Sequence, residues 1–115
     1  MKKAMIIAIA LLMVAILVNA KARGVDPELY NSPNPFNEQT TISVVLPCDS
    51  HVRLIVKDEK EHVLHTIFVG QMSAGIHSFI WDGTTEEGER LASGRYVLEL
   101  EQQRLTSVKR IIILK

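Results

Sequence analysis

A single cysteine, Cys48, stands in this chain of 115 residues, so no intrachain disulfide is available and the fold must be held by apolar burial alone. Cys48 follows Leu46 and Pro47 near the end of an apolar run, where it reads as a half-buried small residue or as one half of an interchain bridge. Aromatic residues are scarce too: one Trp, two Tyr and three Phe. That is little material for a carbohydrate-binding module, which stacks sugar rings on exposed aromatic faces. Positive charge is not in excess either. From Arg23 onward ten Lys and Arg face thirteen Asp and Glu, a formal net charge of minus three. No basic cluster is present to follow a phosphate backbone, which excludes a nucleic-acid partner. The sequence also lacks a Ser or Cys nucleophile motif and a Gly-rich phosphate loop leading from strand to helix. It therefore reads as non-enzymatic, with no catalytic residue, no cofactor and no small-molecule substrate.

Metal ligation is weakly supplied. His62 and His65 are three apart, a spacing that serves two ligands on a helix but sends them to opposite faces of a strand. His51 and His77 fall on different runs. The acidic stretch holding Asp82, Glu86, Glu87 and Glu89 invites a calcium reading, but it lacks the alternating oxygen ligands and the bidentate Glu of an EF-hand and reads as a solvated turn. No metal site is expected.

What the sequence does contain begins with a layout for export. Lys2 and Lys3 precede fifteen uncharged, mostly apolar residues, Ala4 to Val18, and then Asn19, Ala20, Lys21 and Ala22. This is the pattern of a helical secretory signal peptide spanning residues 1–22, with Ala20 and Ala22 as the small side chains a signal peptidase accepts and cleavage after Ala22. A permanent anchor is the rival reading, but a spanning helix needs about 20 apolar residues. No cysteine lies near the cleavage point to carry a lipid. Contact with the membrane is thus expected only through the signal peptide before cleavage, and the product belongs to the periplasm, cell surface or exterior. Removing residues 1–22 leaves 93 residues, enough for one domain.

Residues 23–39 hold Pro27, Pro33 and Pro35 among Asn and Ser, with no apolar period, and read as an extended leader or linker. From Thr40 the texture changes to short runs rich in Val, Ile, Thr and Leu separated by Gly, Asp, Ser and Pro. Ile42, Val44 and Leu46 share one face of the first run; Val52, Leu54 and Val56 share one face of the second, with Arg53 and Lys57 opposite. Asp58 to Glu61 connect to a third strand at about 63–69, where Leu64 and Ile67 require a bulge to point the same way. A fourth strand, 76–81, sets Phe79 and Trp81 on one face. A fifth, 96–100, sets Tyr96, Leu98 and Leu100 against Val97 and Glu99. The last, 106–114, ends in Ile111 to Leu114, apolar on both faces, as in a strand covered on both sides or joined to a partner. Six or seven short strands without a helix predict an all-β domain over 40–115, an immunoglobulin-like antiparallel β-sandwich lacking the inter-sheet disulfide.

Four stretches, in order, carry a family resemblance over about residues 31–115. Asn34, Pro35, Phe36 and Asn37, with Thr40 to Ser43 and Leu46–Pro47 after them, resemble the opening of the Ig-like domain of flagellar hook-capping proteins and of the related C-terminal sorting domains of type IX secretion cargo. Trp81, Asp82 and Gly83 resemble that family's central strand and turn, and Ser93, Gly94 and Tyr96 its next turn and strand. The terminus Lys109, Arg110, Ile111, Ile112, Ile113, Leu114 and Lys115 is similar to the basic-then-apolar end of the sorting domains. The chain departs from the sorting pattern in one respect: only a short leader separates the predicted cleavage site from Asn34, so the domain is either itself the product or a fragment without its passenger.

The resemblance implies a protein partner in the envelope or the secretion machinery. The leading expectation is a secreted interaction module of sorting-domain type, with residues 109–115 as the contact element, since an end strand can join a partner's sheet through backbone hydrogen bonds. The alternative is a scaffold or cap subunit of an external appendage. A carbohydrate-binding module is the third and weakest reading.

Overall fold

The structure, a computed structural model, describes residues 26–103 and 106–115, so the predicted signal peptide with Ala20 and Ala22 lies outside it. Seven strands follow in chain order: β1 (Glu28–Ser32), β2 (Thr40–Leu46), β3 (Ser50–Lys57), β4 (Val63–Met72), β5 (Gly75–Trp81), β6 (Gly94–Gln102) and β7 (Thr106–Leu114). They form two antiparallel sheets, ordered β1-β2-β5 and β4-β3-β6-β7. The immunoglobulin-like sandwich expected from the strand spacing is the fold of the chain.

Period-two alternation explains the core. On β2 the expected inward set Ile42, Val44 and Leu46 is buried, and on β3 so are Val52, Leu54 and Val56. Leu98 and Leu100 of β6 and Ile112 and Leu114 of β7 complete the inner face of the larger sheet. Trp81, the largest apolar side chain, closes one end at 1% exposure. Ile55, on the opposite face of β3, is also dry at 1% exposure. It lies between Thr66 of β4 and Glu99 of β6, in the most central position of its sheet.

The structure corrects the leader assigned to 23–39. Residues 28–32 form β1 and pair along their whole length with β2, from Glu28↔Val45 to Ser32↔Thr41. The prolines expected to keep this stretch outside the domain flank the strand at positions 27 and 33 instead of interrupting it. Its inward positions are Leu29 and Asn31, and a single apolar residue beside a buried amide leaves no apolar period to read. Asn31 Nδ2 donates to Thr40 Oγ1 at 3.5 Å, and that hydroxyl donates to the Pro33 carbonyl at 2.9 Å.

The third strand is longer than expected and carries two irregularities. Leu54 pairs with Phe68 but Ile55 with Thr66, and Val56 pairs with His65 but Lys57 with Val63. Ile67 and Leu64 are therefore the extra residues of two bulges, which is how a sequence with the wrong parity still packs Ile67 and Phe68 on the core.

Candidate functional site

The residues singled out by the family resemblance converge on one end and one side of the sandwich, although they come from separate parts of the chain. Asn34 uses its side-chain amide as a strand would use a peptide group: Nδ2 donates to the Ile111 carbonyl at 3.0 Å, and Oδ1 accepts from Ile113 N–H at 2.9 Å. Two residues on, the backbone takes over. Phe36 N–H donates to the Ile113 carbonyl at 3.0 Å and the Phe36 carbonyl accepts from Lys115 N–H at 2.9 Å, so that Phe36 pairs in parallel with Leu114. The exposed ring of Pro35 lies between these contacts. The Phe36 ring then turns inward, 1% exposed, with its centroid 5.5 Å from that of Trp81.

Trp81, Asp82 and Gly83 form the turn beneath it. Trp81 Nε1 donates to the Thr84 carbonyl at 3.0 Å, satisfying the one polar group of a buried indole. The Thr84 hydroxyl donates to Asp82 Oδ1 at 2.6 Å and is the main cause holding that carboxyl below its ordinary pKa; partial burial opposes the shift, while backbone N–H groups and the nearby His65 add to it. Gly83 is buried with φ of 78°, and its carbonyl accepts from Leu91 N–H at 2.9 Å. A Cβ on Gly83 would lie 3.4 Å from both terminal methyls of Leu114. Gly83→Ala is therefore expected to cost about 1–2 kcal/mol through the left-handed backbone alone. In a thermal melt this appears as a fall of roughly 4–8 °C per kcal/mol; an unchanged melting temperature would mean the turn accepts a side chain.

Gly94 begins β6 opposite Leu114, and the Tyr96 hydroxyl donates back to the Ala92 carbonyl at 2.5 Å, bracketing the exposed Ser93. Arg90 escaped the sequence reading. Its guanidinium donates to the carbonyls of Asp82 at 2.7 Å, of Glu38 at 3.3 Å and of Asn37, tying the opening segment to the Trp81 turn. Since its partners are backbone oxygens far away in sequence, no motif announces them.

The contact element expected at 109–115 lies on an edge that the chain itself pairs at residues 111–115. Ile112 and Leu114 are buried in the core, and the outward backbone groups of Ile111, Ile113 and Lys115 are occupied by Asn34 and Phe36. This edge is already paired within the chain, so it does not offer those hydrogen bonds to a partner. What remains accessible is the side chains of Lys109, Arg110, Ile111 and Lys115, with Ile113 half-buried, and the Arg110 guanidinium sits 5.5 Å over the Tyr30 ring. The histidines have other partners: His62 Nδ1 lies 2.9 Å from Asp58 Oδ2, His65 Nδ1 2.8 Å from the Thr84 carbonyl and His77 Nε2 2.8 Å from the Ser73 carbonyl. Among the described residues no three His, Cys, Asp or Glu side chains are grouped to hold a metal ion.

The far side, between β4 and β5, is open. A shallow cleft of about 340 Å³ lies there, lined by Phe68, Met72, His77 and Phe79 among others. The ring centroids of Phe68 and Phe79 lie 5.7 Å apart, with the rings tilted by 45°.

Comparison with known proteins follows the same residues. The model of the FlgD Ig-like domain family matches residues 31–105, from Asn31 of β1 across the Trp81 turn to β6 and just beyond. The basal-body rod modification protein FlgD of Escherichia coli K12 is 40% identical over 45 residues, which are 39% of this chain and 20% of that protein. The structure of FlgD from Pseudomonas aeruginosa superposes with a TM-score of 0.52 at 26% identity, covering 77% of this chain and 67% of that one. Dimeric latent PorU from Porphyromonas gingivalis superposes with a TM-score of 0.62 over 79% of this chain and 10% of its own, at an identity of 16% that shows the fold alone. A match running through both the Phe36 segment and the Trp81 turn that it covers is a match to the element that closes this sandwich, and the chain belongs to the FlgD Ig-like domain family.

Proposed function

We propose that this chain is an exported, non-enzymatic scaffold or cap subunit that works by protein contact in an assembly outside the inner membrane. The observation that carries this reading is the family match over residues 31–105, together with relatives named for modification of the flagellar basal-body rod. In this reading residues 1–22 are a signal peptide cleaved after Ala22, and the domain acts through its surface with no chemistry of its own. The names of the relatives favour the scaffold over the sorting tag, and the sorting reading leaned on a terminal strand free to join a partner, whose edge over Ile111–Lys115 is taken by Asn34 and Phe36. The burial of Trp81 and Phe36 likewise speaks against a sugar-stacking platform.

In the cells that encode it, a tagged full chain is expected outside the inner membrane, with Arg23 as its first residue by N-terminal sequencing, and in crosslinked complexes containing other proteins. Uncleaved chain held in the cytoplasm would overturn the exported reading. Processed chain that crosslinks to no other protein would overturn the scaffold reading.

A further inference from the structure

A β-sandwich has four outer strands, and each exposed edge invites pairing with another chain unless something blocks it. Three edges here are blocked. The β7 edge is capped over Ile111–Lys115 by Asn34 and Phe36. β4 carries two bulges, which break the row of edge hydrogen-bonding groups. β1 is five residues long, lies between Pro27 and Pro33 and packs beside β7, with Arg110 over Tyr30. β5 is different. Its seven residues, Gly75 to Trp81, contain no proline, no Lys, Arg, Asp or Glu, and no irregularity in the pairing with β2. Among the described residues nothing pairs with its other side.

The side chains of β5 add a second observation. Ile76 and Ile80 stand on the outer face, 74% and 66% exposed, the two most exposed large apolar side chains of the domain among the described residues. Ser78 lies midway between them. The row Ile76, Ser78, Ile80 reads the same in either direction, so two antiparallel copies centred on Ser78 place each Ile76 opposite the other copy's Ile80 and put the serines together. A two-fold axis perpendicular to the sheet generates this arrangement, which is the self-complementary geometry of a closed dimer. No acidic or basic side chain of β5 meets a like charge across this seam, despite the negative net charge of the domain.

We propose that β5 is a self-association edge, through which two copies join their three-stranded sheets into one six-stranded sheet with Ser78 at its centre. This goes beyond the scaffold reading and does not depend on it, since it follows from the β5 edge itself. A seven-residue seam is roughly 24 Å long at about 3.4 Å per residue. Edge pairing of that length falls at the small end of specific interfaces, so the expected dissociation constant is micromolar or weaker.

Sedimentation equilibrium of the chain as exported and processed is expected to show its mass rising from monomer toward dimer between about 5 and 500 µM, a range that covers micromolar constants. The double variant Ile76→Lys, Ile80→Lys places like charges opposite each other and is expected to stay monomeric throughout, with an unchanged urea midpoint because both positions are exposed. The double variant Ile76→Lys, Ile80→Glu sets opposite charges across from each other only in the Ser78-centred register. At low salt it is expected to associate at least about tenfold more tightly than the double-lysine variant and to lose that advantage at high salt. A wild-type chain that remains monomeric at the highest concentration, or a double-lysine variant that still dimerises, overturns the proposal; two double variants that behave alike overturn the register. These readouts are masses of purified chain, so their failure leaves the cellular location and heterologous crosslinks of the scaffold reading untouched.

Discussion

Phe36→Ala is expected to remove about 3–5 kcal/mol of stability, the range for deleting a large aromatic side chain from a packed core. Against the roughly 5–15 kcal/mol that holds an ordinary domain together, this is about a fifth of the total or more. The ring is 1% exposed and rests against Trp81, so its loss leaves a void at the end of the sandwich beside the indole. The backbone contacts of Phe36 with Ile113 and Lys115 depend on the same seating, and so does the reach of Asn34 to Ile111 and Ile113. Urea unfolding checks the expectation. If the opening segment and the sandwich unfold as one unit, the midpoint falls and the slope stays as in the wild type. If the alanine variant lets residues 26–39 detach while the rest remains folded, the slope falls too, because less surface is left to expose. A loss below about 1 kcal/mol would mean that the ring does not plug the core. Phe36→Leu, which keeps much of the apolar volume, is expected to cost under about 1.5 kcal/mol and separates packing from backbone strain.

The contrast between β2 and β4 shows what in this fold was legible from residues alone. Ile42, Val44 and Leu46 alternate with less buried neighbours because β2 is regular and sits between two other strands, so its apolar side chains report the face they occupy. In β4 the bulges at Leu64 and Ile67 change parity twice, and no single alternation can be read through them. β1 was hidden for a different reason: Asn31 occupies a core-facing position, and its amide reaches Thr40, a residue nine positions away that nothing local points to. The apolar run Ile111 to Leu114 reads as a strand covered on both sides or joined to a partner, but one face is only partly covered. Its explanation is edge closure: Ile112 and Leu114 enter the core, the backbone edge is covered by Asn34 and Phe36, and Ile111 remains 47% exposed on the outer face. The resemblance motifs name residues scattered along the chain, and that they join the opening segment, the Trp81 turn and the last strand became visible only in three dimensions. Arg90 adds to these ties through carbonyl oxygens, a type of partner that leaves no mark on sequence.

The outer face of the larger sheet holds the second large effect. Lys57 Nζ lies 2.6 Å from Glu99 Oε2 and 3.0 Å from Glu61 Oε2, while the Ser107 hydroxyl donates to Glu99 Oε1 at 3.1 Å. The side chains of Lys57 and Glu99 are only 13% and 9% exposed. Burial pushes the Glu99 carboxyl up, but hydrogen bonds from Lys57 and Ser107, with the charges of Lys57 and Lys109, outweigh it and hold the group below its ordinary range. Lys57 is raised, chiefly by its bonds to Glu99 and Glu61 against an opposing burial. Removing one partner strands a charge in a poorly hydrated place, so Lys57→Met is expected to cost roughly 2–3 kcal/mol, less than for a fully enclosed pair because the Glu99 carboxylate keeps slight exposure and the bond from Ser107. The double variant Lys57→Met, Glu99→Leu, with neither charge left, is expected to recover most of that loss. The pH dependence follows from the two directions. A depressed Glu99 contributes stability present above the unfolded carboxylate pKa near 4.3 and lost as pH falls through the lower folded value. A raised Lys57 contributes stability present below the unfolded value near 10.4 and lost as pH rises through the higher folded one. Urea midpoints of the wild type measured against the double variant should therefore differ by a constant amount from about pH 5 to about pH 10, and at both extremes the wild type should fall relative to the double variant. Curves that stay parallel down to pH 2 would show that Glu99 gains nothing from Lys57, and the pair would then be an incidental contact on a sheet held by Ile55 and its aliphatic neighbours.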